Sequence, residues 1–153
     1  DDNAAGIHSS IPEFNQVRIT EVFATFGIIY TMADKEAEVV PYIPINKLEF
    51  LKRHFVHNPD VEGVLLAPIH LNSILKSLCF RDESSVCNHI QHATNVLMAA
   101  QREFFQYGKK AFENYTEFMR EMIAKYDLDP TNSIPIYTFD GMYEELYSDY
   151  AIA

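Results

Sequence analysis

At 153 residues, with 48% apolar and 13% aromatic residues, the chain is long enough for one domain with a real core and too apolar for a disordered segment. No apolar run is long enough for a membrane span, the opening Asp1-Asp2-Asn3 is the reverse of a basic leader, and two cysteines, Cys79 and Cys87, are too few for a disulfide framework, so a reducing, cytoplasmic setting is expected. The net charge of −10 counts against a broad phosphate-binding surface but is unevenly spread: residues 1–81 carry seven basic against ten acidic side chains, residues 82–153 five against twelve.

In chain order, Ser10-Ile11-Pro12-Glu13 reads as a capping box opening a helix. Ile19, Val22, Phe23 and Phe26 give that helix one apolar stripe, and Gly27 stands where a C-terminal glycine would. Ile28-Ile29-Tyr30-Thr31 is β-branched and aromatic and predicts a strand, with a short strand over Ala4 to His8 expected beside it. Leu48 to Val56 and Gly63 to Ala67 read as further short strands separated by the turn signal Asn58-Pro59-Asp60. From Leu71 the period becomes helical. A short helix is predicted over Leu71 to Leu78 and a long one from Ser84 to Tyr107 with Val86, Ile90, Ala93, Leu97 and Ala100 on one face. After Gly108 another helix carries Ala111, Tyr115, Phe118, Met119 and Met122; Asp129-Pro130 ends that region, and a last helix covers Phe139 to Tyr147. The fold class is α+β: a small antiparallel sheet with a packing helix, followed by a helical region.

Three groups of residues could carry chemistry. Adjacent carboxylates such as Asp1 and Asp2 suit magnesium, a hard cation that takes one or two carboxylates together with substrate phosphates, although an isolated Asp-Asp pair is most often only a polar terminus. Lys35, in the turn-like Ala33-Asp34-Lys35, could act on a leaving phosphate as point charge or general acid; a lone lysine is more often simply exposed. Lys52 and Arg53 lie between Phe50-Leu51 and Phe55 in a strand pattern, which would send their side chains to opposite faces and at most one of them into a groove.

Taken in order, Asp1-Asp2-Asn3, then Gly27-Ile28-Ile29-Tyr30-Thr31-Met32-Ala33-Asp34-Lys35, then Leu48-Glu49-Phe50-Leu51-Lys52-Arg53-His54-Phe55 resemble the RNA-dependent RNA polymerases of picorna-like viruses (Picornavirales), from the metal-binding turn onward. The resemblance continues more weakly through Ala67-Pro68 and Ile74-Leu75-Lys76-Ser77-Leu78 and covers essentially the whole chain. It implies that residues 1–68 are the C-terminal part of a palm and residues 69–153 a helical thumb. Asp1 and Asp2 would match the end of the YGDD turn and bind magnesium or manganese, with the Tyr and Gly lying upstream of this chain. Lys35 would be the general acid toward pyrophosphate. Phe50-Leu51-Lys52-Arg53 would be the strand-turn-strand supporting the primer end, with Asn3, Lys52 and Arg53 toward RNA.

The same resemblance implies partners and setting: a template-primer RNA, nucleoside triphosphates, the fingers and N-terminal palm of the same polyprotein, and a protein primer, in the host cytoplasm at membrane-associated replication complexes. The upstream palm aspartate is absent from these 153 residues, so the chain by itself is expected not to polymerise. The competing reading is a non-catalytic, acidic α+β protein-interaction domain whose motif matches are coincidental. Other clusters have plainer readings. Cys87, His89 and His92 with Cys79 fall short of the close four-ligand spacing of structural zinc, and His8, His54, His57 and His70 read as packing or surface residues. The tyrosine-rich stretch from Tyr137 to Tyr150 reads as helix packing through Phe139, Met142, Leu146 and Tyr150, and Phe104-Phe105 with Tyr115 and Phe118 as core.

Overall fold

Asn15, and not Ser10, starts the first helix. In the computed structural model, which describes residues 4–32, 34–60, 64–81 and 87–148, helix α1 spans Gln16–Thr25. The Asn15 side chain accepts the Arg18 N–H at 3.0 Å, satisfying one of the free donors of the first turn. The Ser10 hydroxyl is engaged elsewhere, 2.8 Å from the His8 ring, so the expected capping box does not form. At the other end Gly27, at φ +72°, donates to the Ala24 carbonyl while Ile28 N–H reaches back to Phe23, both at 3.0 Å. That pair of bonds is a Schellman motif, and its left-handed residue is why glycine follows the helix.

The described residues divide into two compact units, one ending at Phe55 and the other beginning at Val56. In the first unit, Ala4 to His8 and Ile28 to Thr31 form no strand, contrary to expectation. A strand needs a neighbour for its backbone N–H and C=O groups, and β-branched composition alone does not supply one. Past α1 the chain is tied down by Gln16 N–H donating to the Pro41 carbonyl at 3.1 Å and by the Tyr42 hydroxyl donating to the Pro12 carbonyl at 2.5 Å. A single 3₁₀ turn, Ile45–Lys47, leads into β1 (Glu49–Phe50), which pairs antiparallel with β2 (Arg53–His54) in the register Glu49 to His54 and Phe50 to Arg53. The expected continuous strand over 48–56 is therefore broken by a two-residue turn at Leu51-Lys52. Both residues have positive φ, 51° and 62°.

The second unit opens with β3 (Val56–His57) paired antiparallel to β4 (Leu65–Leu66). The turn between them is built by Asn58, whose side chain accepts the Asp60 N–H at 2.8 Å and whose own N–H donates to the Val64 carbonyl at 2.8 Å. Four helices follow: α2 (Leu71–Cys79), α3 (His89–Phe105), α4 (Lys109–Tyr126) and α5 (Phe139–Tyr147). The long helix predicted from Ser84 starts at His89, capped by Asn88, whose side chain accepts the Gln91 N–H at 2.8 Å. Gly108, at φ +90°, turns the chain between α3 and α4, and since it has no side chain to cap α4, Asp60 does so, accepting the Lys109 N–H at 3.0 Å.

Helical periodicity places the core. One cluster joins Leu66, Phe105, Phe112, Phe139 and Met142; the other joins Ile74, Leu97, Ala100, Tyr115 and Met119. Fully burying a side chain such as Phe105, Phe112, Met119 or Met142 stabilises by about 1.5–3 kcal/mol each. Phe105 and Phe139 stack with centroids 4.8 Å apart, and Phe105 meets Phe112 edge-on at 6.0 Å. Gln101 is buried between α3 and α4, its amide donating to the Thr116 hydroxyl at 3.0 Å and the Tyr137 carbonyl at 3.4 Å. Phe118, expected in the core beside Tyr115, is instead exposed. The architecture is α+β, with two small antiparallel sheets and five α-helices among the described residues.

Candidate functional site

The first unit contains a cleft of about 740 Å³. Ala4 to Ile7 line it, the segment that follows Asp1-Asp2-Asn3, as do Asp34 from the lysine turn and Glu49 from β1. Ile19 of α1, Tyr30, Val40, Ile43 and Leu48 are among the residues of its apolar wall, and Lys47, from the 3₁₀ turn, brings a cation to it.

Asp1, Asp2 and Asn3 themselves lie outside the described residues. Lys35 is exposed on a tight turn. Asp34 builds that turn: its carboxylate accepts the Glu36 N–H at 3.1 Å and its carbonyl the Ala37 N–H at 3.1 Å. The local folding thus holds Lys35 at the second position of a β-turn, its ammonium in water, with the preceding residue on the cleft wall. Lys52 occupies the hairpin turn and is exposed, while Arg53 is half-buried on β2. The two cations do not alternate across one strand as the pattern suggested, because Lys52 is not in the strand. Strand alternation applies only while the backbone stays extended, and the left-handed conformation at Leu51-Lys52 ends it.

Lys47 was missed as a cleft residue. Its available signal was Pro44 ahead of Ile45-Asn46-Lys47, since proline cannot donate to a ladder and favours the start of a helical turn. Elsewhere the Arg81 guanidinium lies against His89, 3.0 Å from Nδ1, and donates to the Cys87 carbonyl at 2.9 Å. A cation already stands beside that histidine, which suits a structural tie between the ends of α2 and α3 rather than a metal ligand. Among the tyrosines, burial pushes the Tyr115 hydroxyl far above its ordinary pKa, and it donates to the Leu97 carbonyl at 3.1 Å. Tyr107 is raised by burial and then by the charge of Glu103, its hydroxyl donating to the Ile69 carbonyl. Both phenols remain protonated donors in the packing of the second unit. Phe139 and Met142 are buried and Leu146 packs against them, as expected of the closing helix; Tyr150 lies outside the described residues.

No protein-family model matches the chain. Over 81 residues, 51% of its length, it is 37% identical to the RNA1 polyprotein of Cherry rasp leaf virus (isolate Potato/United States). Over 126 residues, 81% of its length, it is 31% identical to the RNA1 polyprotein of Blackcurrant reversion association virus. The chain is similar to a stretch of viral RNA1 polyproteins. It spans 4% and 6% of the length of those two relatives, so their polyprotein context is shared over a small segment only. No helix among the described residues is long and apolar enough to cross a membrane.

Proposed function

We propose that this chain is the C-terminal palm and thumb portion of a viral RNA-directed RNA polymerase, which joins nucleotides to a primer 3′ end on an RNA template. The observation that carries this reading is the first-unit cleft. It is lined by the segment following Asp1-Asp2-Asn3, by Asp34 next to Lys35, and by Glu49 on the hairpin that carries Lys52 and Arg53. Sequence neighbours of the three motifs, Ala4 to Ile7, Asp34 and Glu49, thus contribute to one concave surface. Similarity to viral RNA1 polyproteins supports a viral polyprotein origin; on this reading the setting would be the host cytoplasm at membrane-associated replication complexes.

The roles follow from side-chain chemistry. Asp1 and Asp2 offer hard carboxylate oxygens, the donor type that magnesium or manganese prefers, and so would hold the metal. Bound there, the ion would offset charge developing on the reacting phosphate oxygens. Lys35, on a turn that leaves its ammonium free to reach phosphate, donates a proton toward the departing pyrophosphate. Lys52, and Arg53 through its planar donor fork, engage primer phosphates, with Asn3 close to the primer end. Fingers and the remainder of the palm, nucleoside triphosphates and a protein primer complete the machine.

The test is primer extension by this chain and by a longer polyprotein product containing it. The 153-residue chain is expected to be inactive and the longer product to extend RNA with magnesium. Asp1→Ala should abolish extension, and Lys35→Ala should lower kcat by about 10²-fold, the scale of general-acid catalysis. Full activity in Asp1→Ala would sink the reading. The net charge of −10 favours the second reading, a non-catalytic acidic interaction domain. Under it, extension of RNA by a longer product would not depend on Asp1, Asp2 or Lys35.

A further inference from the structure

A hollow of about 310 Å³ lies between α2, α3 and α4 in the second unit. Much of its lining is apolar: Leu78 comes from α2, Val96 and Leu97 from α3, Met122 from α4, and Leu128 from the chain just beyond. Aromatic rings complete the wall. Phe118 and Tyr126 of α4 are 41% and 59% exposed, and Phe80, at the end of α2, is 73% exposed. Phe118, which helical spacing put in the core, is thus a wall of this hollow instead. The surrounding helices are fixed by the buried cluster of Ile74, Leu97, Ala100, Tyr115 and Met119, so the hollow belongs to the packing of the unit. Water in such a space finds few partners, and an apolar group that displaces it gains free energy.

The charge along this wall has one sign. Arg81 and His92 line the hollow, and Lys125 sets its ammonium over the Tyr126 ring at 5.1 Å. No aspartate or glutamate lines it, although the chain carries a net charge of −10. Arg81 is also held in place. Its guanidinium lies 3.0 Å from His89 Nδ1 and donates to the Cys87 carbonyl at 2.9 Å, while its buried Nε has no hydrogen-bond partner among the described residues. A guanidinium carries five N–H donors, so these contacts leave capacity unused, and no carboxylate among the described residues pairs with it. Carboxylate is the group that a guanidinium fork matches best, and partial removal from water strengthens the pairing. We infer that this hollow binds a small amphipathic organic anion, an alkyl or aryl carboxylate whose charged end meets Arg81 and whose apolar end lies against Leu97 and Met122. The inference goes beyond the polymerase reading and does not depend on it, since every residue involved belongs to the second unit.

Methionine methyl NMR on the 153-residue chain tests it, with decanoate as the probe. The Met122 methyl should shift and saturate as decanoate is added below its micellar range. The methyl of Met142, fully buried in the other cluster, should stay in place and so reports that the fold is kept. Decyltrimethylammonium, of similar chain length and opposite charge, should bind about ten-fold or more weakly. Arg81→Gln should weaken decanoate binding by a similar factor. Because Arg81 also ties α2 to α3, a second variant retains it: Ala93→Phe, on the α3 wall, should fill the hollow and abolish the Met122 shift. A Met122 shift that never saturates would overturn the inference, as would full decanoate affinity in Arg81→Gln or in Ala93→Phe. Equal binding of the two surfactants would do the same, since it would reveal apolar adsorption without an anion site. Should Arg81→Gln fail to fold, the ammonium comparison and Ala93→Phe decide.

Discussion

Asp129 follows α4 and organises the loop that returns the chain toward α5. Its carboxylate accepts the Ser133 N–H and the Ile134 N–H, each at 2.8 Å, and the Ser133 hydroxyl at 3.2 Å. Desolvation pushes this carboxyl up. The backbone bonds from Ile134 and Ser133 and the hydroxyls of Ser133 and Thr131 outweigh that and hold it below its ordinary value. A carboxyl whose folded pKa is depressed stabilises the fold above its unfolded pKa, and that contribution is lost as pH falls through the folded pKa. Carboxyl NMR titration should therefore find Asp129 titrating below a random-coil aspartate. Asp129→Asn should flatten the acid limb of the stability curve and leave the chain near neutral pH with a loosened 129–134 loop. A titration at or above the random-coil value would contradict this account. Only the punctuation was legible here: Asp129-Pro130 marked an end to the helix, but carboxylate bonds to residues four and five positions on have no local sequence signature strong enough to predict them.

At the scale of elements, the helices were readable and the irregular pieces were not. The bounds of α5, Phe139 to Tyr147, follow from apolar spacing and from Thr138, whose hydroxyl accepts the Gly141 N–H at 3.1 Å. Gly27 and Gly108 were legible as breaks because both occupy positive φ, which glycine alone tolerates cheaply. The β1–β2 hairpin was expected from the resemblance, as a strand-turn-strand at Phe50-Leu51-Lys52-Arg53, and not from turn chemistry. Tight turns with two positive φ values ordinarily carry Asn-Gly, and Leu51-Lys52 gives no such signal. Non-glycine residues in this conformation cost roughly 1–2 kcal/mol each. Replacing Leu51-Lys52 by Asn-Gly should raise resistance to denaturant by about 1–2 kcal/mol, with slower amide exchange in β1 and β2. On the polymerase reading, the same replacement should lower primer affinity by removing Lys52 from the tip. Unchanged or lower stability would show that the turn carries no such strain. The candidate site rests on an ordered set of motifs, the first of which, Asp1-Asp2-Asn3, lies outside the described residues. Its cleft was not legible, because Lys47 and the wall residues Val40 and Ile43 converge through loops whose path depends on bonds such as Tyr42 to Pro12.

For the molecule as a whole, stability is distributed unequally. Every buried hydrophobic residue among those described belongs to the second unit, where Leu66, Phe105, Phe112, Phe139 and Met142 form one cluster and Ile74, Leu97, Ala100, Tyr115 and Met119 the other. In the first unit α1 has no buried residue, and the two-residue strands of β1 and β2 make a hairpin too short to be stable by itself. Local opening free energy tracks buried apolar contact, so the two units should part in hydrogen exchange. Amides of α3 and α4 should exchange at the slow rate of global unfolding, and those of α1 and the β1–β2 hairpin much faster. Phe105→Ala separates this from a uniform difference in solvent access. Removing a fully buried aromatic ring costs about 3–5 kcal/mol, so exchange in α3, α4 and α5 should accelerate sharply while α1, already opening locally, changes little. If α1 proved as protected as α4 in the isolated chain, the inequality between the units could not stand.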